Sequence, residues 1–571
     1  MKTDQASASN IKQFFPWVLL FRTFSLAFDT SKLLLAALGI LATALGWWVL
    51  SLIFGFGYED APPQWVKSHY EKSANPWGEF KRDRESWNLM HQAARIGVGA
   101  QTVEIEDIAE SEAEFQSIKE SQLTREDLTG PKAKALEEKG WTKNKLARAH
   151  SLLGKVKPSG ELTTWPWFEE RGPNPYLLAT GQSGIPWQAG RFLDWVIIQQ
   201  SPVLIEPLVK VLRPMLFVLH PEATFTQRIY FLLTLVWVLG VWSYFGGAIA
   251  RIVVVQIARN ENIGAAGGLR FAKNNFSNLV CAPLFCPIIA LFLLVVIMFF
   301  SLFGMIPIVG DILVSGLFWG VFVILGLVMA LVLVGIFAWP MMVATVSSEG
   351  LDSWESFSRG IQYMYTRAWS YISYNLLAIG YGIVAVFFIG FMSSFGVYLA
   401  KWSAANTPFI QSSNRSPEYL FVFAPTSFGW RELLLQGVKV DGENLVVGGK
   451  VDAKVYQKYL GLSPESFSEK DSLRWWNLAG AGLTALWLGG LFLLVIGFGY
   501  SFFWTAFTLI FLLLRKDLDN NEINELHLEE EEEESQYSPV LEQPQAAPGP
   551  ATRSLPLIDP SVGAPPEEKK D

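Results

Sequence analysis

Four stretches of this chain carry no charged residue, at 33–58, 229–250, 368–400 and 475–514, and between Lys273 and Glu349 the sole charge is Asp311. Runs of that purity constrain the fold more than any motif does. A helix crossing a bilayer needs about 20 apolar residues at about 1.5 Å each, so every run is long enough to span. The run from 274 to 348 would make one helix about 110 Å long and so has to turn back on itself. MIPIVGD, residues 305–311, supplies the break through Pro307, Gly310 and Asp311. Six spans follow, at 33–57, 229–250, 279–304, 312–338, 370–400 and 477–514, the last expected as one long helix kinked near Gly497 and Gly499. The fold class is therefore an all-α polytopic integral membrane protein with amphipathic surface helices and a mainly helical insertion after the first span.

Composition agrees. Of 571 residues, 17% are charged, against about 25% in soluble domains. The net charge of -8 argues against nucleic acid as a partner and leaves the lipid bilayer and other membrane proteins.

Basic residues resist translocation, so their place in short loops sets the orientation. Arg251, Arg259, Arg270 and Lys273 lie between spans two and three, and Arg359 and Arg367 between spans four and five; the connection from three to four carries none. With Arg22 and Lys32 before the first span and Arg515 and Lys516 after the last, both termini are expected to be cytoplasmic. Residues 58–228 and 401–474 are then extracytoplasmic. The first span reads as a retained signal anchor, because it exceeds the apolar core of a cleaved signal, which is about 7–15 residues. Ahead of it Trp17, Phe21, Phe24 and Phe28 form an apolar stripe suited to the headgroup layer.

The insertion reads as a polar helix over 104–128, then an irregular stretch around Trp165, Trp167 and Trp187. Residues 192–221 follow, apolar but broken by Asp194, Glu206, Lys210, Arg213 and prolines, and expected as an interfacial or partly inserted helix pair. In the second extracytoplasmic loop, 424–435 predicts a short helix with Ser427 as its N-cap. The tail from 515 holds the acidic run Glu529–Glu534 and a Pro-rich end, a composition that stays disordered.

Catalytic and cofactor patterns are weak. All five histidines lie outside the spans and no two stand at metal-ligand spacing. Cys281 and Cys286 are five residues apart, about 140° around a helix, and read as packing residues. GQSG at 181–184 lacks the G-x-S-x-G spacing of a hydrolase elbow. Residues 517–528 start like a calcium loop, but Glu522 stands where Gly is needed and Leu528 where the bidentate Glu belongs. No phosphate-cradling loop is present. Asp311, the single ionisable group in a long apolar run, falls at a turn, which disfavours an ion relay.

The stretch that breaks the apolar pattern is WPMMVATVSSEGLDSWESFSRGIQYMYTRAW, 339–369. Trp339 and Pro340 end a span, Gly350 turns, and Asp352 with Glu355 opens an amphipathic helix whose apolar face is Trp354, Phe357, Ile361 and Met364. Arg359 is expected to meet lipid phosphate or Glu349. Residues 257–285 repeat the plan, and matching Arg270 to Arg359 suggests a parallel repeat of span, elbow and span.

Pro340, Val343, Ala344, Glu349, Gly350 and Arg359, with an aromatic run into the next span, resemble the membrane domains attached to some glycerophosphodiester phosphodiesterases. With GGAIARIVVVQIARNE (246–261), APTSFGW (424–430) and YSFFWTAFTLIFLLLRKDLD (500–519), the chain is similar to an uncharacterised polytopic membrane family of planctomycete-type bacteria. Gly360 stands where that pattern usually has serine, and no phosphodiesterase domain is present, so the resemblance implies a membrane module and transfers no catalytic residue.

Three functions fit: a structural or interaction subunit of an inner-membrane assembly, which the lack of chemistry supports; a permease-like transporter component; and a membrane enzyme, for which no constellation was found. The site residues are structural: Pro340, Glu349, Gly350, Asp352, Arg359 and Arg270.

Overall fold

Inside a bilayer no water is available to backbone polar groups, and a helix is the form in which each apolar run satisfies its own. The computed structural model describes residues 16–55, 90, 165–180, 204–408, 417–460 and 473–519, apart from isolated positions within these ranges. The expected 104–128 helix, residues 192–203, GQSG and the acidic tail lie outside them. Among the described residues six helices are long and apolar enough to cross a membrane. Strand among the described residues is confined to two antiparallel pairs of two-residue strands, β1 (Lys439–Val440) with β2 (Glu443–Asn444) and β3 (Val446–Val447) with β4 (Lys450–Val451).

A 3-10 turn, Pro16–Arg22, leads into α1 (Thr23–Ala27). This element buries Leu20, Thr23 and Ala27 and leaves Trp17, Phe21 and Phe28 exposed. The first span is α2 (Thr30–Gly55). Then come α3 (Pro175–Thr180) and α4 (Glu206–Val218), which starts with a proline in its first turn and contains Pro214. The second span, α5 (Phe225–Arg259), runs well past the end of its charge-free stretch. Charge alone does not stop a helix: Arg251 stays inside it, buried, by donating to the Ser347 carbonyl at 3.0 Å.

The short α6 (Gly264–Asn274) joins it to the third span, α7 (Phe276–Leu302). A turn with π-helical residues Gly310–Leu317 reverses the chain into α8 (Trp319–Val334), and after a 3-10 turn at Gly335–Ala338 the helix resumes as α9 (Trp339–Glu349). Pro340 therefore does not end the span. The 3-10 turn re-routes the bonds its ring would break, and Pro340 sits in the first turn of α9, where no intrahelical N–H is needed. α10 (Ser353–Thr366), α11 (Ala368–Ala405), α12 (Trp430–Leu435) and α13 (Trp475–Asp519) complete the order. α13 is a single helix through Gly497 and Gly499.

Burial is uneven. From Phe492 to Arg515 nearly every residue of α13 is buried, making this helix the axis of the bundle. In contrast, among the described residues from 291 to 334 only Gly310 is buried, so this outer part of the α7–α8 hairpin stands away from the bundle, while the first half of α7 packs against α5, α9 and α10. The Gly316–Gly320 pair lies on this hairpin and does not pack the fourth span on the sixth, as its G-x-x-x-G spacing suggests. A Cβ at Gly320 would meet nothing within 4 Å, and one at Gly316 only the Asp311 carbonyl at 3.5 Å. Gly482 and Gly490 are equally open.

Candidate functional site

Two polar nodes are built into the bundle, one at the elbows and one deep between helices. At the second elbow the chain leaves α9 through Gly350, at φ 65°, a left-handed conformation glycine adopts without strain. Asp352 then caps α10, accepting the Glu355 N–H at 2.8 Å. Arg359 donates through Nη1 to Glu349 and through Nη2 to Glu355, both at 2.8 Å. Glu349 also meets Arg515 of α13 at 2.8 Å, so one carboxylate joins three helices. Burial by itself lowers Arg359's affinity for its proton, but the Glu349 and Glu355 carboxylates outweigh that and hold it above its ordinary value. Tyr363 donates to Asp519 at the end of α13. The apolar face of α10 is turned mainly to protein: Phe357 and Met364 are buried, with the Phe357 ring 5.5 Å from Phe285 of α7, while Trp354 is exposed.

The first elbow has the same construction with a shifted register. Asn260 takes the left-handed position of Gly350, at φ 59°. Gly268 presses on Ile252, eight residues before Asn260, and Gly360 presses on Met342, eight residues before Gly350; a Cβ would lie 3.0 Å and 2.7 Å from those side chains. Aligning the glycines makes the burial of 266–274 identical, residue by residue, to that of 358–366. In this register Arg359 corresponds to Gly267, and Arg270, which is exposed, corresponds to Gln362. The match of Arg270 to Arg359 does not hold, because backbone approach and not charge defines the equivalent positions.

The second node is assembled from α4, α13 and residues 165–171. All five donors of the Arg171 guanidinium are engaged: Nε and Nη2 with the two Glu206 oxygens, each at 3.1 Å, Nη1 with the Pro166 carbonyl at 2.7 Å and Ser427 Oγ at 3.1 Å, and Nη2 also with Glu169. Glu206, 0% exposed, additionally accepts from Tyr500 at 2.7 Å and pairs with Lys210 one turn on, at 3.1 Å. The Lys210 ammonium lies 5.7 Å from the Trp47 ring centre and 5.8 Å from that of Tyr500. Burial raises the Glu206 carboxyl, but Arg171 and Lys210 prevail and hold it below its ordinary value. For Glu169 burial prevails over the same cations and pushes the carboxyl up. Tyr500 is fifteen residues from Arg515, about 22 Å along α13, which sets this node well inside the length of the spans.

Ser427 thus holds Arg171 and does not cap a helix. Phe428 and Gly429 are both left-handed, at φ 54° and 60°, which breaks the helix before Trp430. Trp167 supplies a further tie, its carbonyl accepting the N–H groups of Thr426 and Ser427, both at 3.1 Å. α4, expected at the interface from its broken pattern, buries Glu206, Pro207, Leu208, Lys210, Val211 and Pro214.

Sequence reasoning named Glu349 and Arg359 together, and the structure brings them together with Asp352 and Gly350. It missed Arg515, Arg171 and Tyr500, which approach from distant segments. Glu206 and Lys210 carried a usable signal: opposite charges four residues apart in an apolar stretch face each other on a helix and can be buried as a pair. Cys281 is half-buried and Cys286 buried in α7, and Asp311 is exposed at the hairpin turn. No family model, curated protein or solved structure matches the chain.

Proposed function

We propose that this chain is a structural or interaction subunit of a bacterial inner-membrane assembly, with both termini and both elbows cytoplasmic and the elbow helices at the membrane surface. The observation that carries it is the free hairpin of α7 and α8, whose side chains from Leu291 to Val334 are left to lipid or to a partner's helices. Without a hydrophobic driving force in lipid, helices associate through close packing, and open glycines at Gly316, Gly320 and Gly326 permit it. Arg259, Arg270 and Lys273 at the first elbow, with Arg359 and Arg367 at the second, support the orientation. The resemblance to the membrane domains of glycerophosphodiester phosphodiesterases fits a module of this kind.

A photo-crosslinking residue placed at Leu291 or Ile324 in native membranes tests the reading, with exposed Val384 of α11 as control. The expected result is one protein adduct shared by both hairpin positions and absent from Val384. Lipid adducts alone at all three positions would overturn it.

A second reading, a permease-like component, rests on the ionised node beside Tyr500, since charged groups at membrane depth mark pathways in transporters. Proteoliposomes would show a solute flux abolished by Glu206→Gln if this second reading holds.

A further inference from the structure

Spans five and six form a groove that described residues of 165–180, with Leu204, fill. Its floor lacks side chains where the segment presses closest. A Cβ at Gly382 of α11 would lie 2.6 Å from Leu204, one at Gly489 of α13 2.6 Å from Trp167 Nε1, and one at Gly390 of α11 3.3 Å from Pro175. Two polar ties hold the filling in place. One is the Glu169, Arg171, Glu206, Lys210 and Tyr500 node. The other is Asn174, whose amide donates to Ser394 Oγ of α11 at 3.3 Å and to the Phe428 carbonyl at 2.9 Å; Trp430 Nε1 reaches the same Ser394 at 3.0 Å.

The backbone of 165–174 is irregular where it enters this groove. Irregular backbone at membrane depth persists only when protein or a lined cavity satisfies it. Here the Trp167 carbonyl and the Asn174 amide are satisfied by other elements and the Pro166 carbonyl by Arg171 of the same segment, so the segment is seated as a separate piece and is not part of a spanning helix. Among the described residues the node contains two carboxylates, two cations and a phenol, a neutral set. Neutrality is what makes burial tolerable, because a single uncompensated buried charge is strongly unfavourable.

We propose that residues 165–180, with Leu204 at the approach to α4, form a strap seated in the groove between α11 and α13, and that charge neutrality of the node at Glu206, where α4 leaves the groove to pack on α5, is the latch that keeps it seated. Removing one charge releases the strap, and removing one charge of each sign leaves it seated. Lys210→Met leaves two carboxylates against Arg171 alone. Glu169→Gln in the same chain restores balance and keeps the paired contact of Arg171 with Glu206.

The test is pulsed electron-spin distance measurement on the full chain in lipid nanodiscs, with Cys281→Ser and Cys286→Ser as background. Spin labels go on Phe168→Cys in the strap and Leu486→Cys in α13, both exposed. A control pair, Trp354→Cys and Arg270→Cys, reports the elbows, which are also exposed. The parent protein should give one narrow strap distance. Lys210→Met should add a second, longer strap distance with the elbow distance unchanged, and Glu169→Gln with Lys210→Met should return the single distance. An unchanged distance in Lys210→Met, equal broadening of the elbow pair, or failure of the double variant to recover would each overturn the proposal.

Discussion

Phe357→Asp, Arg515→Gln and Arg359→Gln, made separately at the second elbow, divide apolar packing from the charge node beside it. Phe357 is 7% exposed, with ring contacts at 5.5 Å to Phe285 and 5.4 Å to Trp354. Burial of a side chain of this size contributes about 1.5–3 kcal/mol and each aromatic pair about 0.5–1.5 kcal/mol more. Aspartate forfeits both and adds a carboxylate with no partner in that position. The Arg359 side chain is 34% exposed, and exposed pairs of its kind are worth about 1 kcal/mol or less. Its loss leaves Glu349 paired with Arg515. The Arg515 side chain is only 6% exposed, and breaking a buried pair costs about 3–5 kcal/mol. The expected order of damage is therefore Phe357→Asp and Arg515→Gln large, Arg359→Gln small. Thermal unfolding in detergent and the amount of protein accumulating in membranes measure it. Loss on Arg359→Gln equal to that on Phe357→Asp would refute the reasoning. So would a stable, abundant Arg359→Gln protein that loses a cellular phenotype Phe357→Asp spares, since the elbow would then be a site and not a joint.

Gly246→Leu should unfold the bundle, because its Cβ would fall 2.3 Å from the Trp504 ring, whereas Gly316→Leu with Gly320→Leu should leave the monomer's melting unchanged; equal melting of the two would contradict the packing. Impermeant thiol labelling of spheroplasts should mark cysteines at Ser111 and at exposed Val447 and spare one at Ser535; the reverse pattern would invert the proposed orientation.

The number of spans, the reversal at MIPIVGD and the corner at Gly350 were legible in the sequence. Each follows from a local rule: charge-free length, a Pro and Gly break, and a glycine ahead of Asp352. Site residues Glu349 and Arg359 were legible for the same reason, standing ten residues apart across one turn. What the sequence by itself could not determine depends on approach between distant segments. Arg515 joins Glu349, Tyr500 joins Glu206, and Ser427 joins Arg171 only after helices pack. The equivalence of the two elbows rests on Gly268 and Gly360, whose role is a missing side chain and so leaves no periodic mark. The burial of α4 has the same cause: Glu206 and Lys210 pair within one turn, but Arg171 and Tyr500, which complete the Glu206 node, approach only when distant segments pack.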